Sequence, residues 1–333
     1  MVILGIETSC DETSAAILKG GKVCSNIVSS QIEHLQFGGV VPELASRAHI
    51  RKIVPIVNKA LKESQVTLDK INGLAVTCGP GLVGALLVGI NYVKGLSISL
   101  NKPFIGINHI EGHIYSNFLD KKDLKPPFIC LIVSGGHTQL VFVKKEFEYR
   151  LLGKTKDDAV GEAFDKVAKI LGLSYPGGPQ IDKISEEGDA TSVKFPRALI
   201  KEKSFDFSYS GLKTSVSNYI RNLPEQKSES LIANIAASFQ AAAIEVLVQK
   251  TIRAARTYQC RKIAICGGVA ANSLLRSWIR DEALKFRMEV YLPDLQFCGD
   301  NGAMIARAGL ERLIRGEKSQ LDLGAYPSMQ LES

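Results

Sequence analysis

Along this 333-residue chain the apolar positions fall into short continuous or alternating runs, then into stretches spaced three and four apart. Val2 to Thr8 is a β-rich run. A polar turn, Ser9-Cys10-Asp11-Glu12-Thr13-Ser14, leads into Ala15 to Leu18, and Gly20-Gly21 precede a third extended piece, Lys22 to Ser30. From about Pro42 to Glu63 the spacing turns helical, with proline at an early position where a missing N–H costs nothing. Strand Gly73 to Cys78, the turn Gly79-Pro80-Gly81, an apolar helix from Leu82 to Leu100 and strand Pro103 to Asn108 follow.

The second half repeats this order. Phe128 to Val133 reads as a strand, Ser134-Gly135-Gly136-His137-Thr138 as a turn and Gln139 to Lys144 as a returning strand. Helices are predicted over Val160 to Leu171 and Ser228 to Gln259, a strand over Lys262 to Cys266, a helix over Ser273 to Phe286 and a strand over Met288 to Leu292. A pattern written twice predicts duplicated α/β domains with an interdomain cleft for the ligand. We expect an N-terminal lobe of residues 1–107 plus 302–325, on which the last helix, about Gly302 to Arg315, packs back. Residues 108–301 form the C-terminal lobe, with an insertion at 175–223 rich in Gly, Pro, Ser and Lys.

The length agrees with two cores. Leu82 to Leu100 is interrupted by Asn91, Tyr92 and Lys94, so it is expected to be a buried helix and not a membrane span. Met1 to Glu7 has no basic n-region and no small-residue cleavage site, so no secretory leader is expected, and it lacks the Arg- and Ser-rich character of a transit peptide. Seven scattered cysteines without a Cys-x-x-Cys pair fit a reducing cytoplasm and are expected to be small core hydrophobes. A net charge of +7 permits a polyanionic partner such as RNA without requiring one.

Chemistry concentrates at predicted strand ends. His109 and His113 lie four residues apart, on one face of a helix that begins just after a strand. Asp300 precedes another helix, where it serves either as a third ligand or as an N-cap. Two imidazoles and a carboxylate with open positions suit Fe(II) and also catalytic zinc. The pair is not the His-Glu-x-x-His of zinc proteases, because Glu111 follows His109 by two residues and points off the histidine face; a structural role is expected for it. Ser134-Gly135-Gly136 and Gly267-Gly268 end apolar strands as small-residue turns whose N–H groups can approach a phosphate. Asn272 opens the following helix and can contact a base or ribose. Asp165 either binds ligand or pairs with Lys169, and Asp182, after the rigid loop Tyr175-Pro176-Gly177-Gly178-Pro179, is a candidate ribose ligand. Asp11 and Glu12 in the first turn can bind a metal, position water or take a proton. Lys201 to Lys213 interleaves lysines with Phe205, Phe207 and Tyr209, the composition either of a base-stacking surface or of a packed β-hairpin.

Together these segments resemble the transferase subunit of the tRNA threonylcarbamoyladenosine synthase family, once labelled a sialoglycoprotein endopeptidase. The resemblance runs through Gly5-Ile6-Glu7-Thr8-Ser9-Cys10-Asp11-Glu12-Thr13, Gly38-Gly39-Val40-Val41-Pro42-Glu43, Asn108 to His113, Val133 to Thr138, Gly161 to Lys166, Tyr175 to Pro179 and Gly267 to Asn272. The Pro-Glu-Leu-Ala-Ser-Arg stretch after Val41 resembles bacterial members. The resemblance implies an actin-like, sugar-kinase-like (ribonuclease H-like) duplicated fold and a cytoplasmic enzyme. That enzyme would move threonylcarbamoyl from threonylcarbamoyl-AMP to N6 of the adenosine after the tRNA anticodon. It further implies one metal, usually iron, on His109, His113 and Asp300. The adenylate would be held by Ile132, Val133, Ser134, Gly135, Gly136, Asp165, Gly178, Asp182 and Asn272. An inert paralogous subunit and a small ATPase subunit are the implied partners. The rival readings are an actin-like ATPase or kinase, a non-enzymatic scaffold and, last, a metallopeptidase.

Overall fold

The computed structural model describes residues 1–31, 40–119, 123–223 and 228–331; Gly38-Gly39 of one quoted motif lie outside these. The chain divides into two compact units, Met1–Lys122 with Pro293–Leu331, and a second from Asp123 to Leu292.

The first unit is built on β1 (Val2–Glu7), β2 (Glu12–Lys19), β3 (Lys22–Ser30), β4 (Gly73–Gly79) and β5 (Phe104–Asn108), in the order β3-β2-β1-β4-β5. β1 runs antiparallel to β2 and parallel to β4, and β4 runs parallel to β5. The period-2 alternation of β1 divides its side chains between two helical layers. Leu4 and Ile6 join a core with Ile53, Ile56 and Val57 of α1 (Pro42–Ser64) and Leu86, Ile90 and Val93 of α2 (Val83–Leu100). Gly5 faces the other way, where a Cβ would stand 2.4 Å from the Gly302 carbonyl oxygen at the start of the chain's last helix. A short helix after β5, α3 (His109–Ser116), lies entirely buried.

The second unit contains β6 (Phe128–Val133), β7 (Thr138–Lys145), β8 (Glu148–Lys154), β9 (Lys262–Cys266) and β10 (Glu289–Tyr291) in the order β10-β9-β6-β7-β8. β6 is antiparallel to β7 and parallel to β9, as β1 is to β2 and β4. Element for element this is the topology of the first sheet, and the repeat expected from the hydrophobic pattern is present. Its helices are α4 (Val160–Ile170), α5 (Gly177–Ser185), α6 (Ser210–Arg221), α7 (Glu229–Thr257) and α8 (Ser273–Lys285); α9 (Gly302–Ile314) returns to the first unit.

Four details depart from expectation. The breaks between units fall at 122/123 and 292/293 instead of 107/108 and 301/302, because α3 packs on α9, so the 109–116 helix and Asp300 belong to the first unit. The 175–223 segment is substantially helical, through α5 and α6. Phe207 and Tyr209 are buried, and Phe205 lies under the Arg253 guanidinium, 5.1 Å from its ring centre. The lysine-aromatic stretch is therefore neither a stacking platform nor a hairpin; it is core packing ahead of α6. Lastly, α2 buries only one side, through Ala85, Leu86, Gly89, Ile90 and Val93, while Val83, Leu87 and Ile98 are 54%, 40% and 66% exposed. Both α2 and α7 are long and apolar enough to cross a membrane, but α7 is largely buried within its own unit.

Candidate functional site

Asn108 ends β5 and caps α3, its Oδ1 accepting from Ile110 N at 2.8 Å. That cap fixes where the helix begins, and the four-residue spacing then brings His109 and His113 together, ring centres 4.6 Å apart at 77°. Asp300 reaches both: its Oδ1 stands 3.5 Å from His109 Nε2 and 3.1 Å from His113 Nε2. It is not the cap of α9. Asn301 has that duty, accepting from Met304 N at 3.0 Å.

The three residues present one ligand atom each within 4.8 Å of one another. The histidine–aspartate separations match the roughly 3–3.5 Å between neighbouring ligand atoms on a four-coordinate ion with bonds of about 2.1 Å. His113 supplies the decisive test of fit. Its ring is fully buried, yet neither nitrogen makes a hydrogen bond, and Nε2 stands 3.1 Å from Asp300 Oδ1. An unsatisfied buried imidazole aimed at a second imidazole and a carboxylate is what a divalent cation would satisfy.

Glu7, which the sequence reading quoted only within a motif, completes the arrangement. Fully buried at the end of β1, it accepts from Thr77 Oγ1 at 2.5 Å and from Ser9 N, and its Oε2 lies 3.1 Å from His109 Nδ1. A carboxylate on the far nitrogen fixes the tautomer and leaves Nε2 for a metal. Burial opposes ionisation of Glu7, but the His109 charge and hydrogen bonding outweigh it and lower its pKa. Burial likewise works against the His109 imidazolium, but Asp300 and Glu7 together raise its pKa to about 9. This is a site in which positive charge is strongly favoured. An acidic residue closing a buried strand was the available signal for Glu7.

Asp11 and Glu12 are half-buried in the β1–β2 turn. A histidine that sequence reasoning missed holds that turn: buried His49 of α1 donates from Nε2 to the Cys10 carbonyl at 2.9 Å and accepts the Thr13 hydroxyl at Nδ1, 2.8 Å. Burial depresses its pKa, consistent with this neutral tautomer. Burial first, then the charges of Asp300 and Asp11, push the Glu12 carboxyl up to about 10.

In the second unit, Ile132 and Val133 are buried at the end of β6. Ser134 N donates to the His137 carbonyl at 2.8 Å and Ser134 Oγ accepts from His137 N at 3.2 Å, closing a turn with Gly135 and Gly136 exposed at its tip. A Cβ on Gly135, Gly136, Gly178 or Gly268 would meet open space. Gly267, by contrast, has φ +92° and would drive a Cβ to 2.3 Å from the Val133 carbonyl oxygen; only glycine lets these two strand ends meet. Asp165 accepts from Gly177 N at 2.8 Å and so ties α5 to α4. Asp182 accepts from Asn272 Nδ2 at 3.0 Å, Ser273 N at 3.0 Å and Ser273 Oγ at 2.8 Å, while Asn272 caps α8 and also donates to Gln240 at 2.8 Å. Asp182 and Asn272 thus meet in one network, and Asp165 joins the loop carrying Gly178. Asp157, unremarked in the sequence, accepts from Ser208, Tyr209 N and Ser210 and anchors the start of α6.

Glu111 has the structural duty expected of it. Buried on the side of α3 opposite the histidines, it receives Arg312 bidentately at 2.6 and 2.7 Å.

Residues 22–307 match the family model described as tRNA N6-adenosine threonylcarbamoyltransferase. Proteins of that name from Clostridium botulinum (strain 657 / Type Ba4) and Caldicellulosiruptor saccharolyticus are 54% and 51% identical, covering 99% and 100% of this chain and 97% and 99% of their own. Among solved structures, T. kodakarensis HypF aligns over 97% of this chain at TM-score 0.64 and 15% identity, with this chain spanning about half (49%) of HypF. The ADPNP-bound activator of 2-hydroxyisocaproyl-CoA dehydratase from Clostridium difficile aligns over 96% of this chain and 99% of its own at TM-score 0.54 and 14% identity. These structural likenesses establish the actin-like ATPase fold and nothing finer. With full-length identity above one half and a family match over most of its length, the chain belongs to the tRNA N6-adenosine threonylcarbamoyltransferase family.

Proposed function

We propose that this chain transfers the threonylcarbamoyl group of threonylcarbamoyl-AMP to N6 of the adenosine following the anticodon (position 37) in tRNAs that read codons beginning with A, releasing AMP. The observation that carries the reading is the His109–His113–Asp300 cluster, with its unsatisfied buried imidazole, in a chain of this family. The N6 amine attacks the carbamoyl carbonyl carbon, the bond from that carbon to the phosphate oxygen breaks, and the N6 proton leaves.

His109, His113 and Asp300 would hold one divalent cation, Fe2+ or Zn2+, with Glu7 orienting His109. Such an ion supplies Lewis-acid polarisation of the carbonyl. Ile132 to Gly136 offer backbone N–H groups to the adenylate phosphate at the end of β6. Gly178 leaves room for the nucleotide, and Asp165, Asp182 and Asn272 shape the loops that receive it. Adenine N6 is a weak nucleophile, so positioning supplies much of the rate. Asp11 and Glu12 are the proton acceptors of the reading.

Partners of the reading are tRNA, a paralogous inactive subunit and a small ATPase, in the cytoplasm. The exposed apolar residues Ile50 and Val54 of α1 and Val83, Leu87 and Ile98 of α2 support a protein partner on the first unit. Against a kinase or ATPase stands the donor set, since Mg2+ is held by oxygen ligands and has no use for paired imidazoles.

The test is to incubate the chain and its partners with unmodified tRNA and threonylcarbamoyl-AMP and to look for the modified nucleoside. His109→Ala/His113→Ala should lose both bound cation and product. Unchanged cation content and rate would overturn the reading, as would ATP consumption without tRNA or partners.

A further inference from the structure

The three clustered ligands come from two elements. His109 and His113 ride on α3, and Asp300 sits in the turn before α9. Their mutual distances therefore depend on how α3 is rolled and seated against α9. An eight-residue helix has little intrinsic stability, so something outside it must fix that roll.

One contact does so on the side away from the histidines, and a second, at Gly112, lets the two helices close. At 100° per residue Glu111 lies about 200° from His109 and roughly 160° from His113, on the opposite face. There Arg312, ten residues into the α9 region, takes both its carboxylate oxygens, Nε to Oε1 at 2.6 Å and Nη2 to Oε2 at 2.7 Å. Arg312 is itself held by Glu317, Nη1 to Oε2 at 2.6 Å. A bidentate guanidinium–carboxylate pair fixes orientation as well as distance. Beside it Gly112 lets the helices close: a Cβ there would stand 2.6 Å from Ile305 Cδ1. At the front of α3, Asn108 is oriented in turn by donating Nδ2 to the Gln330 carbonyl at 2.9 Å, so its Oδ1 faces the helix it caps.

We propose that Arg312, acting through Glu111, is a positioning residue for the cation cluster, setting the roll of α3 and so the aim of both imidazoles at Asp300. The inference rests on the cation reading of His109, His113 and Asp300 and extends it to a residue that touches neither ligand atoms nor substrate. The carboxylate of Glu111 is turned away from the cluster and committed to Arg312, which gives the acidic position between two histidines a duty different from catalysis.

The experiment titrates Co2+ into the purified full-length chain and records affinity and the visible ligand-field spectrum. The variants are Arg312→Lys and the paired Glu111→Leu/Arg312→Leu, the second chosen because it leaves no buried charge alone and therefore keeps the fold. Both are expected to weaken Co2+ binding about 10- to 100-fold, the range typical of groups that orient metal ligands, with a changed spectrum. Thermal unfolding of the paired variant without metal should stay close to the parent. Parental affinity and spectrum in the paired variant would overturn the positioning role while leaving the cluster intact. Failure of the parent itself to bind Co2+ would overturn the cation reading and this inference with it.

Discussion

His109 Nδ1 lies 3.1 Å from Glu7 Oε2, and the opposite nitrogen of the same ring lies 3.5 Å from Asp300 Oδ1. One imidazole thus sits between two carboxylates with different surroundings: Glu7 is fully buried on the sheet, and Asp300 would share with His109 the cation of the proposed site. Replacing Glu7 by Gln keeps the shape but removes the charge and makes one of its two terminal atoms a donor. We expect cation affinity, measured by Co2+ or Zn2+ titration, to fall about 10- to 100-fold. Glu7→Ala should in addition destabilise the chain by about 1–3 kcal/mol, because Thr77 and Ser9 N lose a buried acceptor. Parental affinity in Glu7→Gln would mean that the glutamate serves folding alone.

Gly267 tests the seam between β9 and β6. Its φ of +92° is unfavourable for any side chain, and a Cβ would collide with the Val133 carbonyl. Strain of this kind costs on the order of 1–3 kcal/mol before the clash is counted. Gly267→Ala should therefore lower the denaturation midpoint clearly. Gly136→Ala, whose Cβ meets open space, should leave stability within about 0.5 kcal/mol of the parent. Equal midpoints for the two variants would refute this account of the turn.

How far the sequence could be read follows from the kind of interaction involved. Strand and helix order came through because central strands such as β4 and β6, buried along their whole length, read as short continuous apolar runs, while the helices that cover them carry the 3.6-residue period. The histidine pair was legible because its spacing is local. Glu7 was not, for its meaning lies in a contact with a residue 102 positions away. The same holds for His49, whose bonds to Thr13 and Cys10 span 36 and 39 positions. The lysine-aromatic stretch misled for a related reason: composition at 201–213 cannot tell whether Phe207 and Tyr209 face water or, as they do, the interior. Asp182, expected as a ribose ligand, also accepts from Asn272 and Ser273, a network invisible without the fold.

Asp158 gives a pH dependence with a definite sign. Burial tends to raise its pKa, but Lys166 at 2.8 Å and Lys213 at 3.1 Å outweigh that and lower it below the ordinary 3.8. A depressed carboxylate contributes stability that is present above its unfolded pKa and lost as pH falls through the folded one. The window is therefore below about pH 4. In thermal unfolding measured from pH 6 down to pH 3, Asp158→Asn should start lower and fall less steeply than the parent. Parallel curves would show that the two lysine contacts carry no net charge coupling.

The exposed side of α2 gives the last test. Val83 is the first residue of the helix and more than half exposed, so Val83→Asp places a negative charge where the helix dipole favours it. Leu87→Lys, one turn on, changes a 40% exposed side chain. Neither substitution removes core, and the double variant should unfold within about 1 kcal/mol of the parent. If the apolar side of α2 is covered by the paralogous subunit, two new charges there must be desolvated on association, and affinity in a direct titration should fall at least about tenfold. Unchanged affinity, with folding intact, would refute α2 as the face that binds the proposed subunit.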